Sequence, residues 1–304
     1  MKVLLFTHKI DIDGMGGAVL ARLAFKNVDI KFLETFEVDD ALQEIIENET
    51  VNNYSNVYIT DICPSETYLT LIESDAGLKN KIKIFDHHKN NFSKAYDFAD
   101  IQISNQKGLC CGTSLFYDYL RKQGFLKQTK ALDDYVELTR QYDTWEWKDI
   151  YNNEIANNLN LLFVATDRDC YVKKMLEYLQ NEQEFQLKSK EIAIIENYKR
   201  EIAEGVENLI ASIFEIKIDG MKVAVIASAE NKFRNEVSGV LKIRGCDCDY
   251  LAMVIQDRDT ISLRSIKDEI DVSMVASKLG GKGHKKASSV PKTKDNLKYF
   301  GVEK

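Results

Sequence analysis

Histidine is scarce in this chain, with four residues in 304, and proline is scarcer still, with two. The six cysteines (Cys63, Cys110, Cys111, Cys170, Cys246 and Cys248) contain no CxxC pair, so zinc-finger spacing is absent. A reduced, intracellular chain is the simplest reading of that pattern. No apolar run approaches the about 18 residues that a membrane span needs. The N-terminal MKVLLFTHKID has a short apolar run before polar groups return, too short for a secretory signal. A cytoplasmic protein with no membrane partner is therefore expected. There is no low-complexity tract and no internal repeat. Positive charge is also in short supply: the net charge is -7. That argues against a general cationic coat for gripping long duplex DNA. It leaves room for a small anionic substrate in a local basic pocket.

The chain does have the material for a core. It is 44% hydrophobic and 29% charged, and long enough for two domains of about 100–200 residues. KVLLF at 2–6, NVYITDI at 56–62 and KIKIFD at 81–86 read as buried strands. GAVLARLAF after the first, and VDDALQEIIEN at 38–48, read as helices. Alternating strands and helices imply βαβ units and a parallel sheet, whose ligands sit outside the carboxyl ends of the strands. Residues 112–124 and 130–142 are expected to be helical, and 185–210 to form one long helix linking two domains. From about residue 212, SIFEIKIDG, MKVAVIAS and CDYLAMVIQDRDTISLRS read as strands of a smaller sheet domain. VSMVASKL at 272–279 follows as a helix ending at Gly280 and Gly281.

Five segments carry chemistry. THKIDIDGMGG at 7–17 offers His8, Asp11 and Asp13, a half-site for a hard or borderline divalent cation. Gly14, Gly16 and Gly17 would let the backbone approach a ligand. The same residues also read as a polar loop with a helix cap. Asp61 in YITDICP ends an apolar run, and by itself reads more readily as a cap or turn. Asp86, His87 and His88 leave a strand together, and a carboxylate beside a metal-bound imidazole fixes its tautomer. Asp143 in RQYDTWEW reads, alone, as a helix cap beside Trp145 and Trp147. LGGKGHKKASS at 279–289 is a glycine-rich turn presenting His284, whose backbone N–H groups suit phosphate. Residues 278–304 carry eight lysines against two acids, opposite in sign to the whole chain. All four histidines fall inside these segments.

HKIDIDG, TDI, DHH and YDTWEW, in this order, resemble the four motifs of the DHH phosphoesterase superfamily. ISLRS and DVSMVASKLGGKGHKKAS resemble its associated C-terminal domain with a GGGH motif. The resemblance covers nearly the whole chain and is closest to the oligoribonuclease (nano-RNase) branch. It implies an α/β fold: a parallel-sheet catalytic domain over 1–184, a linker helix over 185–211, and a smaller α/β domain with a mixed sheet over 212–304. The active site would lie in the cleft between them.

The resemblance also implies two divalent cations, Mn²⁺ first, with Mg²⁺ or Co²⁺ as substitutes. His8, Asp11 and Asp61 would hold one metal. Asp13, Asp61, His87 and Asp143 would hold the other, with Asp61 shared. Asp86, His87 and His88 would form the catalytic group, with His88 toward the phosphate. Arg264, Ser265, Gly281, Lys282, Gly283 and His284 would bind substrate. One departure is that Lys282 interrupts the glycine run. The implied substrates are short RNA or DNA oligonucleotides, or small nucleotides, with a homodimer as the possible assembly. The alternatives are a 3′-phosphoadenosine 5′-phosphate phosphatase, a cyclic or linear dinucleotide phosphodiesterase, or a silent nucleotide-binding regulator.

Overall fold

The computed structural model describes residues 2–89, 95–106, 108–181 and 183–302. Glu303 and Lys304, at the end of the lysine-rich segment, lie outside the described residues. The chain divides into two compact units, Met1–Ile195 and Glu196–Lys304.

In the first unit the expected strands form. β1 (Lys2–His8), β2 (Asn27–Leu33), β3 (Asn56–Thr60), β4 (Ile82–Asp86) and β5 (Ala99–Ile101) make a parallel sheet in the order β2-β1-β3-β4-β5. Parallel neighbours need crossovers. Here these are α1 (Ile12–Ala24), α2 (Val38–Glu47), and the pair α3 (Glu66–Ser74) and α4 (Ala76–Lys81). The sheet is covered on both faces. Val3 and Leu5 of β1 join one apolar cluster, while Leu4 and Phe6 between them join another with α2 and α3. That alternation follows from the two-residue period of a strand. β2 carries no apolar run in sequence because it is an edge strand with no fully buried residue.

A two-stranded ribbon, β6 (Ser104–Asn105) and β7 (Gly108–Leu109), leads into a helical layer. That layer is α5 (Gly112–Lys122), α6 (Lys130–Asp143), α7 (Glu146–Asp149), α8 (Glu154–Ala165) and α9 (Arg168–Asn181). The long helix α10 (Ser189–Ala211) starts later than Phe185, where the sequence pattern places it. Two contacts explain the delay. Phe185 is buried against the rings of Tyr135 and Tyr178. The Lys188 backbone N–H donates to Glu191 at 3.1 Å, closing the N-terminal turn as the acid of a capping box does.

The second unit is built on a mixed sheet. Its strands are β8 (Phe214–Ile218), β9 (Met221–Ala229), β10 (Tyr250–Ile255), β11 (Thr260–Ser265), β12 (Lys282–His284) and β13 (Ala287–Pro291). They lie in the order β12-β13-β11-β10-β9-β8, with only β9 and β10 parallel. That parallel pair demands a crossover, supplied by α11 (Arg234–Ile243). α12 (Val272–Lys278) and α13 (Lys294–Tyr299) complete the unit. α11 is not legible as a helix beforehand, because it buries only Val237 and Leu241 and contains Gly239. Among the described residues, no helix is long and apolar enough to cross a membrane.

Candidate active site

β1, β3 and β4 end in register. Thr7 pairs with Thr60, and Thr60 with Phe85. His8, Asp61 and Asp86 therefore leave the sheet in one row. β1 has β2 on one side and β3 on the other, so the strand order reverses there. A crevice at such a reversal is the usual ligand site of an open α/β sheet.

Helix starts bring in the remaining acids. Asp11 is the N-cap of α1 and accepts from the Gly14 N–H at 2.9 Å. Its Oδ2 is 2.5 Å from Nδ1 of His8, which is 3.3 Å from Oδ2 of Asp61. Asp13, in the first turn of α1, is fully buried. Its two oxygens accept from the Gly112 and Thr113 N–H groups at 2.6 and 2.7 Å, at the N-terminus of α5. Asp143 is the last residue of α6. The Nε2 of His87 lies 3.2 Å from Asp143, 3.3 Å from Asp61 and 3.8 Å from Asp13. Two triads result, His8–Asp11–Asp61 and Asp13–His87–Asp143, each with its ligand atoms within 4.8 Å of one another. Asp61 sits between them. Oδ1 of Asp86 accepts from the His87 N–H at 2.9 Å and from Nδ1 of His88 at 2.8 Å, leaving Nε2 of the exposed His88 ring free of that bond.

Other residues hold this arrangement, and local sequence gives little sign of them. Asp61 has φ +61°, the left-handed region. A Cβ at Gly112 would lie 2.6 Å from the Asp61 backbone nitrogen, so only glycine fits there. The hydroxyl of Thr60 donates to that of Thr7, which donates to the Gly14 carbonyl, both at 2.8 Å. Buried Arg140 joins Glu137 at 2.7 Å, Glu146 and the Leu109 carbonyl, pinning the turn that follows Asp143. The α1 glycines do not open room for a ligand. A Cβ would lie 2.0 Å from the His8 carbonyl at Gly14, 2.1 Å from the Thr113 hydroxyl at Gly16 and 2.4 Å from the Thr60 hydroxyl at Gly17. They let α1 pack closely against β1, β3 and α5.

Concentrated negative charge shapes the site. Burial, and then the charges of Asp13 and Asp11, push the Asp61 carboxyl well above the usual range. Burial and Asp13 push Asp143 up to about 8. Burial works against charge on His8, but the Asp11 and Asp61 carboxylates beside it prevail and push it up to about 10. For Asp11 and Asp86, burial is outweighed by the His8 and His88 contacts respectively, and both are lowered. His8 Nδ1, Asp61 Oδ2 and Asp143 Oδ2 are buried, and their imidazole–carboxylate contacts at 2.5–3.3 Å lack hydrogen-bond geometry. Imidazole nitrogens and carboxylate oxygens, crowded and unsatisfied, form a donor set that fits hard or borderline divalent cations.

The second unit has a groove of about 560 Å³. Arg264, Lys282, Gly283 and His284 line it, with Arg234, Arg258 and three serines. Two of the expected binding residues do not. Thr260, Ser262 and Arg264 face the groove, so the strand period turns Ser265 to the opposite face, where it is buried. Gly281 lies against β13, where a Cβ would meet the Ser289 carbonyl at 2.1 Å.

No family model matches the chain. Oligoribonuclease NrnB of Bacillus subtilis (strain 168) is 30% identical over 303 residues, covering 98% of this chain and 75% of that protein. The pGpG-specific phosphodiesterase PggH from Vibrio cholerae superposes with a TM-score of 0.54 at 13% identity, covering 99% of this chain and 98% of the other. Exonuclease RecJ bound to manganese gives a TM-score of 0.59 at 12% identity, covering 99% and 89%. At those identities the solved structures share the fold alone.

Proposed function

The chain belongs to the DHH phosphoesterase superfamily, and from that premise we propose a phosphodiesterase that hydrolyses short oligonucleotides to nucleoside monophosphates. The observation that carries this reading is the pair of triads, with Asp61 of the first 3.3 Å from His87 of the second and buried ligand atoms lacking hydrogen-bond geometry in both. His8, Asp11 and Asp61 would hold one divalent cation, and Asp13, His87 and Asp143 with Asp61 a second, Mn²⁺ being the first choice. Such a pair would supply a water of lowered pKa and would neutralise charge on the phosphate.

The chain's own residues do the rest. The N-terminus of α5 fixes Asp13, and the left-handed turn fixes Asp61. Asp86 orients His88 through Nδ1, so Nε2 is the nitrogen able to meet a phosphate or leaving-group oxygen. Within the second unit, the groove lined by Arg264, Lys282 and His284 offers guanidinium, ammonium and imidazole groups that suit a phosphate, the arginine in a bidentate fork. The relative named for oligoribonuclease activity supports short RNA as substrate.

The test is Mn²⁺-dependent hydrolysis across RNA of graded length, single-stranded DNA, 3′-phosphoadenosine 5′-phosphate, cyclic dinucleotides and pyrophosphate. Stepwise release of monophosphates, fastest from the shortest RNA, is expected. Turnover confined to the bisphosphate or a cyclic dinucleotide would replace the substrate. No turnover of any of them would overturn the enzymatic reading.

A further inference from the structure

Folding alone gives no reason for Trp145. It stands two positions after Asp143, the last residue of α6, and its backbone has φ +63°. A side chain this bulky is an outlier in the left-handed region, which glycine adopts freely. Burial of the ring does not offset the strain, because Trp145 is 58% exposed. Its neighbours enforce the turn. The Trp145 N–H donates to the Tyr142 carbonyl at 3.1 Å, and the Trp145 carbonyl accepts from the Lys148 N–H at 3.1 Å. The next residue, Glu146, is tied to buried Arg140. Strain held in place by its surroundings concentrates at functional sites.

The turn sets the indole at the end of an aromatic stack. Tyr142 and Trp147 have ring centroids 6.1 Å apart and planes 16° apart, and Trp147 and Trp145 follow at 6.3 Å and 29°. The first two are half-buried, so Trp145 is the solvent end of the stack. A flat ring backed by another and open to solvent is a platform on which an unpaired base stacks, whatever its identity. Two residues span at most about 7 Å of chain, so the platform stands beside the Asp13–His87–Asp143 triad. We propose that Trp145 stacks the base of the nucleotide whose phosphate meets the triads, so that a good substrate carries a base beside the scissile phosphate. This rests on the phosphodiesterase reading above and adds which part of the substrate the first unit recognises.

The test compares, on the metal-loaded protein, an intact dinucleotide with two analogues, each lacking the base on one of its sugars. One analogue should fall by about 5–150-fold in kcat/KM, mostly through KM, the range that about 1–3 kcal/mol of stacking represents. Trp145→Gly suits the left-handed turn and should keep the circular dichroism spectrum and divalent-ion binding of the wild type while losing that discrimination. Trp145→Phe should retain most of it. Equal turnover of intact and base-free forms in the wild type would overturn the proposal, as would discrimination kept in Trp145→Gly. Binding separates this from failure of the enzymatic reading. The chain has two tryptophans, both in the stack, so their fluorescence reports on it directly. With Mg²⁺ in place of paramagnetic Mn²⁺, AMP should quench the emission where ribose 5-phosphate does not, and Trp145→Gly should abolish the difference. That result supports the platform even if no substrate is hydrolysed. No difference between the two ligands in the wild type overturns it.

Discussion

Asp61 combines three costs at one residue: a left-handed backbone, full burial and repulsion from neighbouring carboxylates. Strain of this kind, about 1–3 kcal/mol per residue, persists where the surroundings enforce it, and it concentrates at functional sites. Asn tolerates the same backbone without the charge. Asp61→Asn should therefore fold, lose divalent-ion binding by calorimetry, and lose activity by more than the about 10–100-fold that removal of a supporting partner costs. Asp86→Ala, which removes such a partner, should fall within that range.

Asp143 gives a pH prediction of definite sign. Its pKa in the fold is raised to about 8, from about 3.8 in the open chain. The metal-free fold therefore holds a proton that the unfolded chain lacks between those values, and stability falls as pH rises through that window. His8, raised to about 10, acts in the same direction at higher pH. Asp143→Asn should raise the metal-free melting temperature much more at pH 9 than at pH 5. A shift of equal size at both would refute the charge argument.

Among the elements, α5 has a role that its own sequence conceals. Its first two N–H groups bind Asp13, its first residue leaves no room for a Cβ beside Asp61, and Thr113 packs against Gly16. Gly112→Ala should cost about 1–3 kcal/mol by overpacking, readable in urea denaturation, and should lower metal affinity by displacing two ligands. At the end of α6, Arg140→Met would strand buried Glu146 without its cation, at about 3–5 kcal/mol.

This is also where legibility divides. His8 and Asp86 are legible because each ends an apolar run, and strand ends are where α/β sites lie. Asp61 and Asp143 need the family resemblance, since alone each reads as a cap or turn. Gly112, Thr113 and Thr60 were not readable, because each acts through a residue far away in sequence. Ser265 and Gly281 were placed with their neighbours by motif, where the strand period and the backing strand set them apart.

Across the molecule, folding assembles anionic ligands that repel one another without cations. Divalent ions should therefore raise the melting temperature, by linkage to a site absent from the unfolded chain. Mn²⁺ in excess should give a concentration-dependent rise reversed by EDTA. Asp61→Asn should abolish most of it.

The bond from Thr113 to Asp13 carries a consequence for the order of events as the chain acquires its shape. Its partners are separated by 100 residues. Loop closure over such a distance must precede any reward from the contact, so pairings of this kind form late. His8, Asp11 and Asp61 lie within the segment from β1 to the end of β3 and are expected to come together with the sheet, while the Asp13 triad needs α5 to dock and α6 to deliver Asp143. Of the two triads the strand-end one is thus expected to form first, and divalent-ion binding at the other would report that the helical layer has closed over the sheet.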